Sequence, residues 1–280
     1  MERNAEEIKK FVKGHYGSLA KEKNRSCCSP GAAVPPSCCN QDVISRQAQT
    51  AAERLYANEE LKNLPRDVTD ISLGCGNPTA IAELSEGEVV LDLGSGGGID
   101  CFLAAQRVDT RGKVIGLDMT PEMIQLAKEN AQKMGASNVE FRLGEMEHMP
   151  VEDNSVDVII SNCVINLSPD KDTVFSEAFR VLKPGGRLCI SDIVLLEELP
   201  KEIKENLEQW AGCIAGALNE NIYLDKIRAA GFVKVAADRN PIPFCAEIEA
   251  PQVQKEPKTY LGLSGKVASI KVKAFKPGKP

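Results

Sequence analysis

The chain has 280 residues, which at roughly 150 residues per domain describes one large core with appendages. Hydrophobic residues make up 42% and charged residues 26%, which excludes a disordered chain, and a net charge of −6 leaves no basic surplus for nucleic acid or an anionic membrane. No apolar run reaches the roughly 18 residues of a membrane span, and the start Met1-Glu2-Arg3-Asn4 is too polar for a signal peptide, so a soluble, cytoplasmic protein is expected.

Taken in chain order, Ile8, Phe11 and Val12 with Tyr16 beyond set an amphipathic helical pattern, whose end Gly14 and Gly17 are expected to loosen. The next stretch mixes proline, glycine and two cysteine pairs, Cys27-Cys28 and Cys38-Cys39. No regular element runs through it, and residues 1–60 are read as an N-terminal cysteine-bearing segment. Ten cysteines in a chain long enough to bury a core point to free, metal-binding or redox-active thiols rather than a disulfide scaffold. The two histidines, His15 and His148, lie far apart, so the cysteine chemistry is expected to be all-thiol.

Gly74-Cys75-Gly76-Asn77-Pro78 is a second breaker cluster, and from Glu88 onward strands and helices alternate. Short apolar runs predict strands at 89–93, 113–118, 139–143, 156–161 and 187–194. Thr120 with Pro121 is expected to start a helix that Gly135 ends, and Ser168-Pro169 to start another carrying Phe175, Ala178, Phe179 and Leu182 on one face. Beyond Glu197 come helical stretches at 207–210 and near Ile227, then a short strand at 269–273. This alternation predicts an α/β fold, a Rossmann-like doubly wound, mostly parallel sheet with helices on both faces and a ligand crevice beyond the carboxyl ends of its strands. Residues 61–195 form the expected core, and 196–280 a C-terminal substrate-side region.

Gly94-Ser95-Gly96-Gly97-Gly98 follows the first strand of this core, but position 99 is Ile99, so the spacing departs from a dinucleotide fingerprint. Asp92 would repel a pyrophosphate, whereas Asp118, at the end of the next strand, stands where a carboxylate accepts ribose hydroxyls. Together the two acids describe a nucleoside with a cationic tail, the form of S-adenosylmethionine. Cys163 follows the fourth strand and should sit at the mouth of the sheet beside that donor. Cys101 and Cys189 read as packing residues, His148 as a loop residue, and Glu197-Glu198 as a solvent-facing pair; Cys245 has no assigned role.

Leu91-Asp92-Leu93-Gly94-Ser95-Gly96-Gly97-Gly98 resembles the first motif of class I S-adenosylmethionine-dependent methyltransferases, and Leu182-Lys183-Pro184-Gly185-Gly186 their turn before the fifth strand. More specifically, Leu73-Gly74-Cys75-Gly76-Asn77-Pro78, Leu117-Asp118-Met119-Thr120, Phe141-Arg142-Leu143-Gly144-Glu145 and the string from Ser161 to Lys171 are similar to arsenite methyltransferases of microbial type. That resemblance implies methyl transfer to trivalent arsenic, supplied as arsenite or its thiol conjugate, in arsenic detoxification. It implies Cys75, Cys163 and Cys213 as the arsenic-holding thiolates, a role that suits soft sulfur ligands. It further implies a disulfide relay through Cys27 or Cys28, following Tyr16-Gly17, with glutathione or thioredoxin as reductant. The donor site expected on this basis comprises Asp92, Gly94, Ser95, Gly96, Gly98, Asp118, Met119, Glu145, Asn162 and Tyr16, with Glu145 near the adenine amino group.

Three alternatives stay open at the level of sequence. The four N-terminal cysteines could form a zinc or iron–sulfur site, although adjacent Cys-Cys pairs depart from C-x-x-C spacing. The donor site could serve carbon methylation of a small quinone-like molecule. The chain could also be a metal-storage or redox-sensing protein.

Overall fold

The structure is a computed structural model that describes residues 4–23, 52, 55–62, 64, 66–69, 76–199, 201–204, 206–241 and 265–278. Cys27, Cys28, Cys38, Cys39, Cys75 and Cys245 lie outside the described residues.

Seven strands form one sheet: β1 (Val89–Leu93), β2 (Lys113–Asp118), β3 (Val139–Leu143), β4 (Val156–Asn162), β5 (Leu182–Leu195), β6 (Val233–Pro241) and β7 (Val267–Phe275). Their spatial order is β3-β2-β1-β4-β5-β7-β6. The first five pair in parallel, as their buried apolar runs require, while β7 runs antiparallel between β5 and β6. The expected doubly wound α/β fold is therefore present, with a reversed strand that the local pattern did not announce. Because β6 and β7 complete the sheet of the core, the division drawn at residue 195 falls inside one continuous layer.

Helices α1 (Ala5–Lys23), α2 (Ile99–Val108), α3 (Pro121–Met134), α4 (Lys171–Val181) and α5 (Glu220–Ala229) accompany the sheet, with short helical turns at Pro78–Ala82 and Leu207–Ala211. One apolar cluster joins Leu91, Ile159 and Ile190 to Phe175 of α4 and Tyr223 of α5. Another joins Val90, Val158 and Ile160 to Phe102 of α2 and Ile124 of α3. The sheet is thus covered on both faces, and the cavity at its carboxyl edge is what remains for a ligand. No helix among the described residues is long and apolar enough to cross a membrane.

Three local expectations are corrected. Helix α1 runs through Gly14 and Gly17 to Lys23, because burial of Ile8, Val12 and Ala20 outweighs the cost of two glycines. Helix α4 starts at Lys171, not at Ser168, since the Asp170 side chain caps it by accepting from Thr173 N at 3.1 Å. Thr120 occupies the N-cap of α3 beside Pro121, yet makes no side-chain cap bond; its hydroxyl serves Asp118 instead.

Candidate active site

The glycine loop leaves β1 at Leu93 and is pinned to the next strand by Ser95 N, which donates to Leu117 O at 3.0 Å. Gly94 has φ +65°, and a Cβ there would lie 2.2 Å from Val164 Cγ2. Only glycine lets the loop and the 163–168 segment approach so closely. Gly94, Ser95, Gly96 and Gly97 line a cavity together with Asp100, Asp118, Met119, Asn162 and Cys163. Helix α1 closes it from outside with Lys9, Val12 and Tyr16.

Asp118 accepts from Gly96 N at 3.0 Å and Thr120 N at 2.8 Å, and burial raises its pKa against those bonds and the one from the Thr120 hydroxyl. Asp92 is placed differently. It is buried behind the loop, outside the cavity lining, where Cys101 Sγ lies 3.2 Å from Oδ2; burial and the neighbouring Asp100 push its pKa well up. The acid that reaches the cavity beside the loop is Asp100, which the sequence reading missed. Both its oxygens accept from Tyr56 OH at 3.0 Å, and Oδ2 also accepts from Asn162 Nδ2 at 3.1 Å. Burial raises Asp100 to about 6, while the bonds from Asn162 and Tyr56 act to lower it. A signal existed: Asp100 stands in the first turn of the helix that follows the glycine loop, the end of a helix where a carboxylate is favoured. Asn162 ties this network back to Gly76, accepting from its N at 3.2 Å and donating to its O at 2.8 Å.

Gly98 caps α2 and packs toward Phe102 and Phe141, away from the lining. Glu145 is exposed and its carboxylate pairs with Lys9 at 2.7 Å; it is Glu147, also paired with Lys9, at 3.0 Å, that lines the cavity. Among these acids and lysines the ion pairs fasten α1 over the opening.

Cys163 directly follows β4, with φ +55°, its N donating to Ser191 O at 2.8 Å. The backbone thus turns sharply out of the sheet and brings Cys163 into the cavity wall, and Cys163 is disulfide-bonded in this structure. Cys213, at φ +63°, is buried in the turn after Leu207–Ala211, and its thiol donates to Cys163 O at 2.7 Å. Two of the three expected arsenic ligands are therefore neighbours, the thiol of one against the backbone of the other. Burial and the nearby Asp192 push the Cys213 thiol well up, opposed by Lys171. Tyr16 OH donates to Ala211 O at 3.0 Å, so α1 braces the Cys213 turn as well as covering the donor side. Cys101 and Cys189 sit in the core as free thiols, and burial drives Cys189 to about 12. Exposed His148 stands apart from this chemistry.

Residues 84–231 match a family model described as a methyltransferase domain. The chain belongs to that methyltransferase family. It is 43% identical over 254 residues to the arsenite methyltransferase of Halobacterium salinarum, covering 89% of this chain and 64% of that one. A crystal structure of CrArsM, an arsenic(III) S-adenosylmethionine methyltransferase from Chlamydomonas reinhardtii, superposes with a TM-score of 0.65 at 34% identity, covering 83% of this methyltransferase and 75% of that chain. A demethylmenaquinone methyltransferase of Lactococcus lactis is 41% identical over 197 residues, 63% of this chain and 78% of that one. The chain thus spans 64% of the length of the Halobacterium arsenite methyltransferase and 55% of that of the mouse one.

Proposed function

We propose that this methyltransferase transfers a methyl group from S-adenosylmethionine to trivalent arsenic bound by cysteine thiolates. The observation that carries this reading is that the thiol of Cys213 lies 2.7 Å from the carbonyl of Cys163, which lines the donor cavity. A quinone acceptor needs no such pair, although the Lactococcus relative keeps carbon methylation as the second reading.

The cavity fits the donor on its own chemistry. Ser95 Oγ is buried there without a hydrogen-bond partner among the described residues, and two buried acids with raised pKa face the same space. When bound, S-adenosylmethionine supplies a methyl group on a cationic sulfur, open to displacement by a soft nucleophile. Asp118 would hold the ribose hydroxyls, Asp100 the cationic end of the donor, and the Gly94–Gly97 backbone its approach. Met119 and Tyr16 wall the cavity. Arsenite is then held by Cys163 and Cys213, with Cys75 as the third thiolate that the family resemblance implies. Displacement needs no general base, because thiolate-bound arsenic keeps a lone pair, so positioning is the main source of rate. Since Cys163 is disulfide-bonded in the structure, capture of arsenic requires prior reduction, by glutathione or thioredoxin, and Cys27 or Cys28 would relay the exchange.

A labelled-donor assay with arsenite and reductant tests the reading: label should enter methylated arsenicals. Label entering a naphthoquinol, with none entering arsenic, overturns it.

A further inference from the structure

Lys171 is the first residue of α4, buried, with its ammonium at the helix end whose dipole opposes a cation. Burial holds it down to about 8. So unfavourable a place needs a reason, and its contacts supply one. Nζ donates to Ser168 O at 2.9 Å and to Asn166 O at 3.4 Å, clamping the segment that starts at Cys163. Wholly buried Asp192 of β5, whose charge acts on Lys171, accepts from Asn166 Nδ2 at 2.8 Å, from Ile193 N at 2.9 Å and from Tyr223 OH at 3.2 Å. Asn166 is therefore bonded by both a buried cation and a buried acid.

The clamped segment is also the seat of the Cys213 turn. Trp210 Nε1 donates to Leu167 O at 3.1 Å, the Cys213 thiol donates to Cys163 O, and Gly216 lies so close to Asn166 that a Cβ would come within 2.1 Å of its carbonyl oxygen. Each of these contacts lands on a backbone that Lys171 and Asp192 fix. Resting on the reading that Cys163 and Cys213 hold arsenic, we propose that Lys171 and Asp192 are positioning residues that set the spacing of these two sulfurs for chelation. They touch neither the donor nor the metalloid; Lys171 acts through the carbonyls of Asn166 and Ser168, and Asp192 through the Asn166 side-chain amide.

Chelation and simple thiol reactivity separate them experimentally. Phenylarsine oxide bridges two thiols, whereas a dialkyl chloroarsine takes one, and the chain's one tryptophan, Trp210, reports binding at this site by fluorescence. The measurement uses the full reduced chain with a phosphine reductant. In Lys171→Met, affinity for the two-thiol probe should fall at least about tenfold, because a second thiol held out of reach no longer adds its effective concentration. Affinity for the one-thiol probe and for S-adenosylmethionine should stay at the parent value. The double variant Lys171→Met/Asp192→Asn, which leaves no lone buried charge, should repeat the result if the single variant does not fold. Parent-like two-thiol affinity in a folded variant, or equal loss for both probes, overturns the positioning role. A parent protein whose Trp210 signal ignores phenylarsine oxide, or responds equally in Cys163→Ser, overturns instead the arsenic reading beneath it.

Discussion

At the scale of single residues, the structure divides the sulfurs by what surrounds them. Cys163 lines the cavity and the buried Cys213 thiol contacts its carbonyl, whereas Cys101 and Cys189 are enclosed by the core. Serine is close to cysteine in size but is a hard, weakly acidic ligand, so Cys163→Ser and Cys213→Ser should abolish arsenite methylation while the far-UV circular dichroism stays unchanged. Turnover near the parent rate in either variant contradicts a chelate at this point. The donor side was less legible. Asp118 could be read from its place at the end of a strand, but Asp92, the acid just before the glycine loop in sequence, proves to be walled off behind it. Alternation along β1 decides which way a side chain points, and a motif match cannot see that direction. The acid that lines the cavity beside the loop comes from the next element, so Asp100→Asn should weaken S-adenosylmethionine binding by about 1.5–3 kcal/mol in calorimetry, the range for a hydrogen bond to a charged group. An unchanged dissociation constant would remove Asp100 from the donor site.

Among the elements, strands β1 to β3 fell on their predicted residues, because a buried parallel strand is a continuous apolar run bounded by glycine or charge. Helix α1 was harder, since its two glycines argue locally against a helix that tertiary burial then enforces. Its ends are held by contacts distant in sequence: Lys9 to Glu145 and Glu147, Lys21 to Glu122 at 2.8 Å, Tyr16 to Ala211. No local pattern encodes those. Gly14 is exposed within this helix, and a Cβ there would meet nothing within 4 Å. Gly14→Ala should therefore stabilise the protein by roughly 0.5–1 kcal/mol, the helix-propensity difference, and raise the melting temperature. Tyr16→Phe should do the reverse for the cover alone. Losing one hydrogen bond worth about 1 kcal/mol should speed amide exchange in α1 while leaving the sheet protected. Uniform exchange across both would mean that α1 is part of the global folding unit and not a separate cover.

For the whole molecule, the sequence carried the parallel half of the sheet but not the reversed β7, whose pairing with β5 joins residues some eighty positions apart. The same burial that builds the sheet leaves a set of acids with raised pKa at its carboxyl edge, and this makes stability depend on pH in a way that can be worked out. Burial raises Asp100 and Asp192 to about 6, above the unfolded value of about 3.9. The folded state then holds more protons than the unfolded one between those values, so the stability from each is full below about pH 4 and is lost as pH rises through 6. Surface acids work in the opposite sense. Glu140, held at about 2 by its bonds to Arg142 and Lys113, contributes above about pH 4.3 and loses that contribution as pH falls toward 2. Thermal stability of the protein alone should therefore decline between about pH 4 and pH 7. The donor should reverse that decline, because its cationic end favours ionised Asp100. The upward shift in melting temperature produced by saturating S-adenosylmethionine should be small at pH 5 and clearly larger at pH 7. In Asp100→Asn the shift should be nearly the same at both. If the parent's donor-induced shift is equal at pH 5 and pH 7, the buried acid does not meet the donor's charge, and Asp100 loses its role in binding the cation.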